Sequence, residues 1–510
     1  MTAQDTEQFR EFLRQLQREE HRPTPLNEIK NLFTYKPAGE AITTIRDVGI
    51  SKIVQCLNVS EKSHVDLACE VLKICFDKFE PGEVIKNYTG HIMYLLRHEK
   101  SCVRKMATDE VFKAVALDQN LLPIPQFIDV FVAVAQLVTD TDIGVANKAI
   151  LITSNLPSEA YPKVLEEMKI ALEYNASSKC NAYEVIVNIS SKSYELCKLC
   201  NSHGYIDHMI SELQSDDVSF HLNVLELLTR LAANPHGIGL LKWQGALPKI
   251  TKLIVELEHN RLRKLLYPGY MKFVETIAHR YPKEMLDKYP AWVDFIFEGF
   301  EDGKTRLPGT LDTLGLIGTT IEGKHYLASI IAEGHLGDPL SYTAHFIRMR
   351  NRHLIVGTTI CAVNFFASLI SVDKDPNARR SGPVDPRVTN KTKEWFMSLS
   401  STPPSIETLF GICKDNYPEW RLAGLALLDA VCQHQWGEEL VARTAGFVEY
   451  LLDRSTDSTK ESKEAKYDII KRLANSAAFD ASIITRLNTH VEQGPFYSES
   501  ALEVAMEEGD

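Results

Sequence analysis

Three observations in this sequence predict an all-α fold, an armadillo/HEAT-like α-solenoid of about ten to twelve helical repeats. Apolar residues recur at i, i+3, i+4 and i+7 from end to end, while period-two alternation is rare and hairpin turn dipeptides are nearly absent. One kind of helix start returns at intervals near 40 residues. Dividing the 510 residues by that unit leaves about twelve repeats and no need for a domain boundary.

The recurring start is a Gly or Pro followed by an apolar-rich run. It appears as GISKIVQCL at Gly49, GHIMYLL at Gly90, GYIDHMISEL at Gly204, GALPKITKLI at Gly245 and GFVEYLL at Gly446. Pro162 (PKVLEEMKIAL) and Pro290 (PAWVDFIF) open variants of it. Gly49 to Gly90 and Gly204 to Gly245 each span 41 residues, and Gly245 to Pro290 spans 45. Gly can close the preceding helix with φ > 0, and Pro at a first helical position gives up no needed N–H. Longer helices accompany these starts, as in IGVANKAILITSNL from Ile143 and VSFHLNVLELLTRLA from Val218. The expected organisation is one continuous solenoid over 1–494. Ser371–Lys393, rich in Pro, Asp and Lys, reads as a mobile loop within it, and 495–510 as a disordered acidic tail.

Composition narrows the function classes. Hydrophobic residues at 44% and charged residues at 24% exclude global disorder. The 56 Lys and Arg against 68 Asp and Glu give a formal charge of −12, and no basic block exists to neutralise phosphates. Ten Cys are too sparse for a disulfide scaffold. The N-terminus, MTAQDTEQFREFLRQLQREEH, reads as an amphipathic helix rather than an export signal, so cytoplasmic residence, with the nucleus as a second compartment, is expected. Leu354–Val372 is free of charge but carries Thr358, Thr359, Asn364, Ser368 and Ser371, a load that fits a buried helix better than a membrane span.

No catalytic constellation emerges. Gly318–Lys324 matches the spacing of a phosphate-binding loop, but His325 stands where a Ser or Thr would hold Mg²⁺, and the preceding GTLDTLGLIG reads as helix. Cys197 and Cys200 form a lone CxxC with only His203 nearby, short of a zinc ligand set. No cofactor and no metal are expected.

Two surface features point to a protein partner. Arg348, Arg350 and Arg352, within HFIRMRNRH, form the densest basic cluster and suit an acidic partner segment, since guanidinium groups pair bidentately with carboxylates. In a solenoid the last helices of successive repeats line one concave face. Aligning TSNLP, VNIS, LTRLA, ETIA and KRLAN places Asn155, Asn188, Arg230, Thr276 and Arg472 as rungs of one ladder.

Several long strings resemble the 26S proteasome non-ATPase regulatory subunit 5 family, assembly chaperones of the regulatory-particle base. They are Tyr267–Phe273 (YPGYMKF), Leu311–Gly318 (LDTLGLIG) leading to Glu322–Lys324, Gly446–Tyr450 with Asp453–Ser455, Ala465–Tyr467, Leu473–Ser476 and Gly494–Pro495, with Trp395 in TKEWFMSLS as an echo. The first 200 residues share mainly the repeat pattern, and the 371–393 loop is longer than the family pattern needs. The resemblance implies a non-enzymatic chaperone. It would hold the C-terminal domain of one proteasomal ATPase subunit, alongside a second ATPase and a large non-ATPase scaffold subunit, and leave before the mature particle forms. The competing reading is an armadillo-type transport receptor or general adaptor. A receptor for basic import signals would carry Trp beside Asn along its inner face, and none of the five Trp precedes a ladder Asn.

Overall fold

A computed structural model describes residues 3–17, 22–117, 125–302, 306–333, 339–348, 356–372, 386–457 and 459–497. Among these residues the regular elements are 31 α-helices and a few 3₁₀ turns, with no strand, so the all-α solenoid predicted from periodicity is what forms. The chain divides into two compact units, Met1–Ala246 and Leu247–Asp510. The single solenoid over 1–494 stays a proposal of the repeat spacing.

In the first unit a series of helices pack one on the next: Pro23–Thr34, Lys62–Phe76, Ser101–Leu117, Ile143–Ser154, Ala176–Ser190 and Val218–Ala232. Val218–Ala232 shows why these segments are helical and why they stack. Val224, Leu225, Leu228 and Leu231 recur at helical spacing, and all four are fully buried. Each such side chain contributes about 1.5–3 kcal/mol of transfer free energy. Side-chain caps start three successive members. Asp142 accepts from the N–H of Gly144 and Val145, Asn175 from that of Ser178, and Asp217 from that of Phe220. A cap of this kind stabilises a helix by about 1 kcal/mol.

The second unit repeats the plan with Arg263–Arg280, Leu307–Ile317, Val356–Ile370, Pro418–Cys432 and Lys460–Leu473. The uncharged 354–372 segment supplies Val356–Ile370, packed between Leu307–Ile317 and Pro418–Cys432. No described helix is long and apolar enough to cross a membrane. Proline opens Pro418–Cys432 and sits in the first turn of Leu307–Ile317, where the missing N–H costs nothing.

The predicted starts divide into two kinds. Gly204 and Gly446 adopt φ of 81° and 77°, the left-handed conformation that lets one helix end and the next begin without a Cβ clash. Gly90 instead lies within the Thr89–Leu96 helix and needs no such conformation, because Tyr88 already makes the turn.

The loop expected over 371–393 requires a correction. Pro386–Met397 is a helix with Val388, Trp395 and Phe396 buried, so the C-terminal third of that segment belongs to the repeat core. Its polar composition hid Val388, which shares a helix face with Trp395 and Phe396 just beyond the segment. Residues 373–385 lie outside the described residues, as do 498–510 of the expected tail.

Candidate functional site

The long helices of each unit present a row of polar side chains whose partners sit one repeat away. In the first unit the row is a ladder of cations reaching back to acids and amides. Lys113 Nζ meets Asp77 at 2.5 Å and Lys148 Nζ meets Asp109 at 2.7 Å. Lys192 Nζ donates to Asn155 Oδ1 at 3.0 Å. Arg230 donates through Nη2 to Asn188 Oδ1 at 2.7 Å and through Nη1 to Glu184 Oε1 at 3.2 Å. Asn188 in turn donates through Nδ2 to Ser154 Oγ at 3.3 Å. Three predicted rungs, Asn155, Asn188 and Arg230, therefore lie on adjacent helices, with Asn188 bonded directly to Arg230. Each pair is at least partly exposed, which limits it to about 0.2–1 kcal/mol. The ladder sets the polarity of a face more than it holds the fold.

The second unit is built differently. Thr276 donates only back to the Lys272 carbonyl of its own helix, at 2.8 Å, and the cross-helix rung is its neighbour. Thr313 Oγ1 donates to Glu275 Oε2 at 3.4 Å, and His279 Nδ1 to the Leu316 carbonyl at 2.9 Å. Beyond these, the Cys361 thiol faces Asp312 Oδ2 at 4.0 Å. Burial holds the Glu275 and Asp312 carboxyls above their ordinary range, and the charge on Asp312 adds to the effect on Glu275. Burial and then Asp312 push the Cys361 thiol up to about 11. These carboxylates, with Asn364 and Ser368, line a groove of about 230 Å³. Arg472 closes the row, donating through Nε and Nη2 to Asp429 Oδ1 at 3.2 and 3.1 Å. The pair borders a groove of about 770 Å³ floored by Ala426 and Ala465.

The residues that sequence alignment missed are the acceptors Glu184, Glu275, Asp312 and Asp429. For Glu184 and Asp429 the signal was a carboxylate roughly one repeat upstream of a predicted arginine, whereas Glu275 and Asp312 accept from Thr313 and Cys361, which the alignment did not single out. Arg348 ends the Pro339–Arg348 helix and is exposed. Arg350 and Arg352 lie outside the described residues.

The phosphate-loop look-alike proves to be a helix junction. A Cβ on Gly323 would stand 1.8 Å from the Ile317 carbonyl oxygen. Gly237 against Leu231 and Gly437 against Val431 repeat that approach at 2.0 Å, so the glycine belongs to the repeat geometry. Lys324 is 2% exposed and turns inward, donating to the Gly318 carbonyl and, at 3.2 Å, to the Ser368 carbonyl. Its ammonium neutralises two helix C-termini, where carbonyls lack partners. The CxxC is likewise internal. Cys197 and Cys200 are buried in the Tyr194–Ser202 helix, and burial pushes the Cys200 thiol up to about 12. Among the described residues no three His, Cys, Asp or Glu side chains gather as a metal site would require.

Fold and face together define a helical-repeat scaffold with polar side chains paired from repeat to repeat along its long helices. The particular family follows from comparison. The chain belongs to the proteasome non-ATPase 26S subunit family, whose model matches residues 5–510. It is 25% identical over 509 residues to the bovine (Bos taurus) 26S proteasome non-ATPase regulatory subunit 5, covering 97% of this chain and 98% of that one. The human (Homo sapiens) protein of the same name is 25% identical over 499 residues, covering 95% and 96%, and that of Drosophila melanogaster 25% over 468, covering 89% of each. Among solved structures, importin beta aligns with a TM-score of 0.58 at 11% identity, over 92% of this chain and 62% of its own. That likeness concerns the fold alone.

Proposed function

We propose that this protein is a non-enzymatic assembly chaperone of the 26S proteasome regulatory-particle base. It holds the C-terminal domain of a proteasomal ATPase subunit, in company with a second ATPase and a large non-ATPase scaffold subunit. The observation that carries the reading is a family match over residues 5–510, on an all-α fold of stacked helices. A stack of repeats binds by surface, and an interface of roughly 2,000 Å² gives tight yet displaceable association. Nothing in the proposal hydrolyses a nucleotide, so release follows from competition, as later subunits claim the covered surface. Such work belongs in the cytoplasm and nucleus, where the particle is built.

The transport-receptor reading is weaker for a specific reason. Trp292, Trp395, Trp420 and Trp436 are core residues, which leaves Trp243 as the sole exposed indole and no row of Trp for a basic signal. The test is capture of the ATPase C-terminal domain by chains carrying Arg230→Glu with Arg472→Glu, or Arg348→Glu with Arg350→Glu and Arg352→Glu. The expected result is at least about tenfold weaker capture by one of the two sets with unchanged helicity, a loss of 1.4 kcal/mol or more. Full capture by both removes the ladder and the basic helix end as contact sites.

A further inference from the structure

A basic groove lies outside the polar row, among the last described helices of the second unit. It has a volume of about 770 Å³ and is lined by the Lys460–Leu473 and Ala481–Gln493 helices and the turn after Phe447–Leu452. Four cations line it, Arg454, Lys463, Lys466 and Arg486, against two carboxylates, Asp453 and Asp457. Two of these cations are structural. Lys466 is 4% exposed and donates to Asp457 Oδ2 at 2.8 Å and to the Asp453 carbonyl at 2.7 Å. Arg454 clamps the end of the last helix, donating to the Gly494 carbonyl at 2.7 Å and lying 5.4 Å over the Tyr497 ring. Lys463 and Arg486 remain to serve an occupant, the latter held only by a half-exposed pair with Glu449 at 3.6 Å. The positive field is felt by His490, whose pKa falls to about 4 through burial first and the charges of Arg454 and Lys466 next. A wall of Phe496 and Tyr497, 54% and 42% exposed, gives the groove an apolar side.

The described chain ends on that wall. The thirteen residues that follow, SESALEVAMEEGD, hold Glu499, Glu503, Glu507, Glu508 and Asp510 and no Lys or Arg, with Leu502 and Met506 four apart. Their contour, up to roughly 45 Å, reaches every residue of the groove. We propose that this groove is the docking site of the chain's own acidic segment 498–510, carboxylates toward Lys463 and Arg486 and apolar residues toward Phe496. Tethering supplies a millimolar effective concentration, so a weak contact suffices to keep the groove covered. An acidic segment of another protein would then have to displace it.

The test uses a fluorescent 498–510 peptide against the full chain and against a chain ending at Tyr497, both checked for equal helicity and melting. Binding to the shortened chain, about tenfold tighter than to the full chain, is expected. It should weaken at least about fivefold from 50 to 300 mM salt. Lys463→Gln with Arg486→Gln in the shortened chain, mild changes at partly exposed sites, should lower the affinity by a similar factor. No binding to the shortened chain, equal binding to both chains, or undiminished binding by the double variant would each overturn the proposal.

Discussion

The stacked helices of the first unit begin at residues 23, 62, 101, 143, 176 and 218, 33 to 42 apart. Those of the second begin at 263, 307, 356, 418 and 460, 42 to 62 apart. Regular spacing goes with a regular face. In the first unit the helices from Ser101–Leu117 onward each hand a Lys or Arg to an acid or amide of the repeat before, while the first pair runs the other way, from Lys30 to Glu70. In the second, the spacing is longer and less even, and Glu275 and Asp312 lie close enough for the charge of one to act on the other. Largely buried cations serve in both units, in the first as Arg104, which donates to Asp140 through Nε at 2.5 Å and Nη2 at 2.7 Å. Lys324 ties together the C-termini of Leu307–Ile317 and Val356–Ile370. Lys466 and Arg421 hold the Asp453–Asp457 turn, Arg421 through the Thr456 carbonyl at 2.6 Å and Asp457 at 3.7 Å. A self-paired surface tolerates loss of a rung, whereas a buried clamp does not.

That contrast is broken most directly at the clamp. Lys466→Met leaves the 2%-exposed Asp457 carboxylate without its closest cation, at an expected cost of about 3–5 kcal/mol, read by chemical denaturation of the full chain. A cost below 1 kcal/mol would show that the clamp is dispensable. Next come Gly237→Ala and Gly323→Ala, one in each unit with the same close approach to a carbonyl. Both should cost about 1–3 kcal/mol, and unequal melting shifts would mean that the junctions differ after all.

The pH response sharpens the comparison further. His490 titrates near 4 in the fold and near 6.5 unfolded, so the unfolded chain binds more protons between those values. Stability contributed by this site is complete above about pH 6.5 and falls as the pH drops toward 4. His490→Gln should flatten that part of the melting profile, and an unaltered profile would show the site is not responsible. Glu275→Gln with Asp312→Asn runs the other way. Their raised folded pKa values weaken the fold at neutral pH relative to acid, so neutralising both should raise the melting temperature by about 1–3 °C at pH 7. The smallest effect belongs to the first unit's surface. Arg230→Ala should cost about 0.2–1 kcal/mol in spite of its two bonds to the preceding helix.

Much of the fold was legible because helical periodicity is a local property. The runs from Ile143 and Val218, and the prolines at 162 and 290, announce their helices within a dozen residues. The ladder was half legible. Aligned repeats found Arg230, Asn188 and Asn155, yet named Thr276 where Glu275 makes the contact, since one position on a helix turns a side chain by about 100°. The 371–393 segment misled because its net polarity masked Val388, whose common face with Trp395 and Phe396 beyond it shows only once a neighbouring repeat supplies the other half of the core.

The sequence alone determined the class of the molecule: repeated amphipathic helices that cannot bury their apolar faces singly must stack, and a period near 40 residues allows little else. Only tertiary structure decided what the conspicuous residues do. Gly323 and Lys324 have the spacing of a phosphate loop in one dimension. In three, the glycine lets its helix approach the end of Leu307–Ile317 and the lysine caps that same end together with the end of Val356–Ile370, where carbonyls lack intrahelical partners.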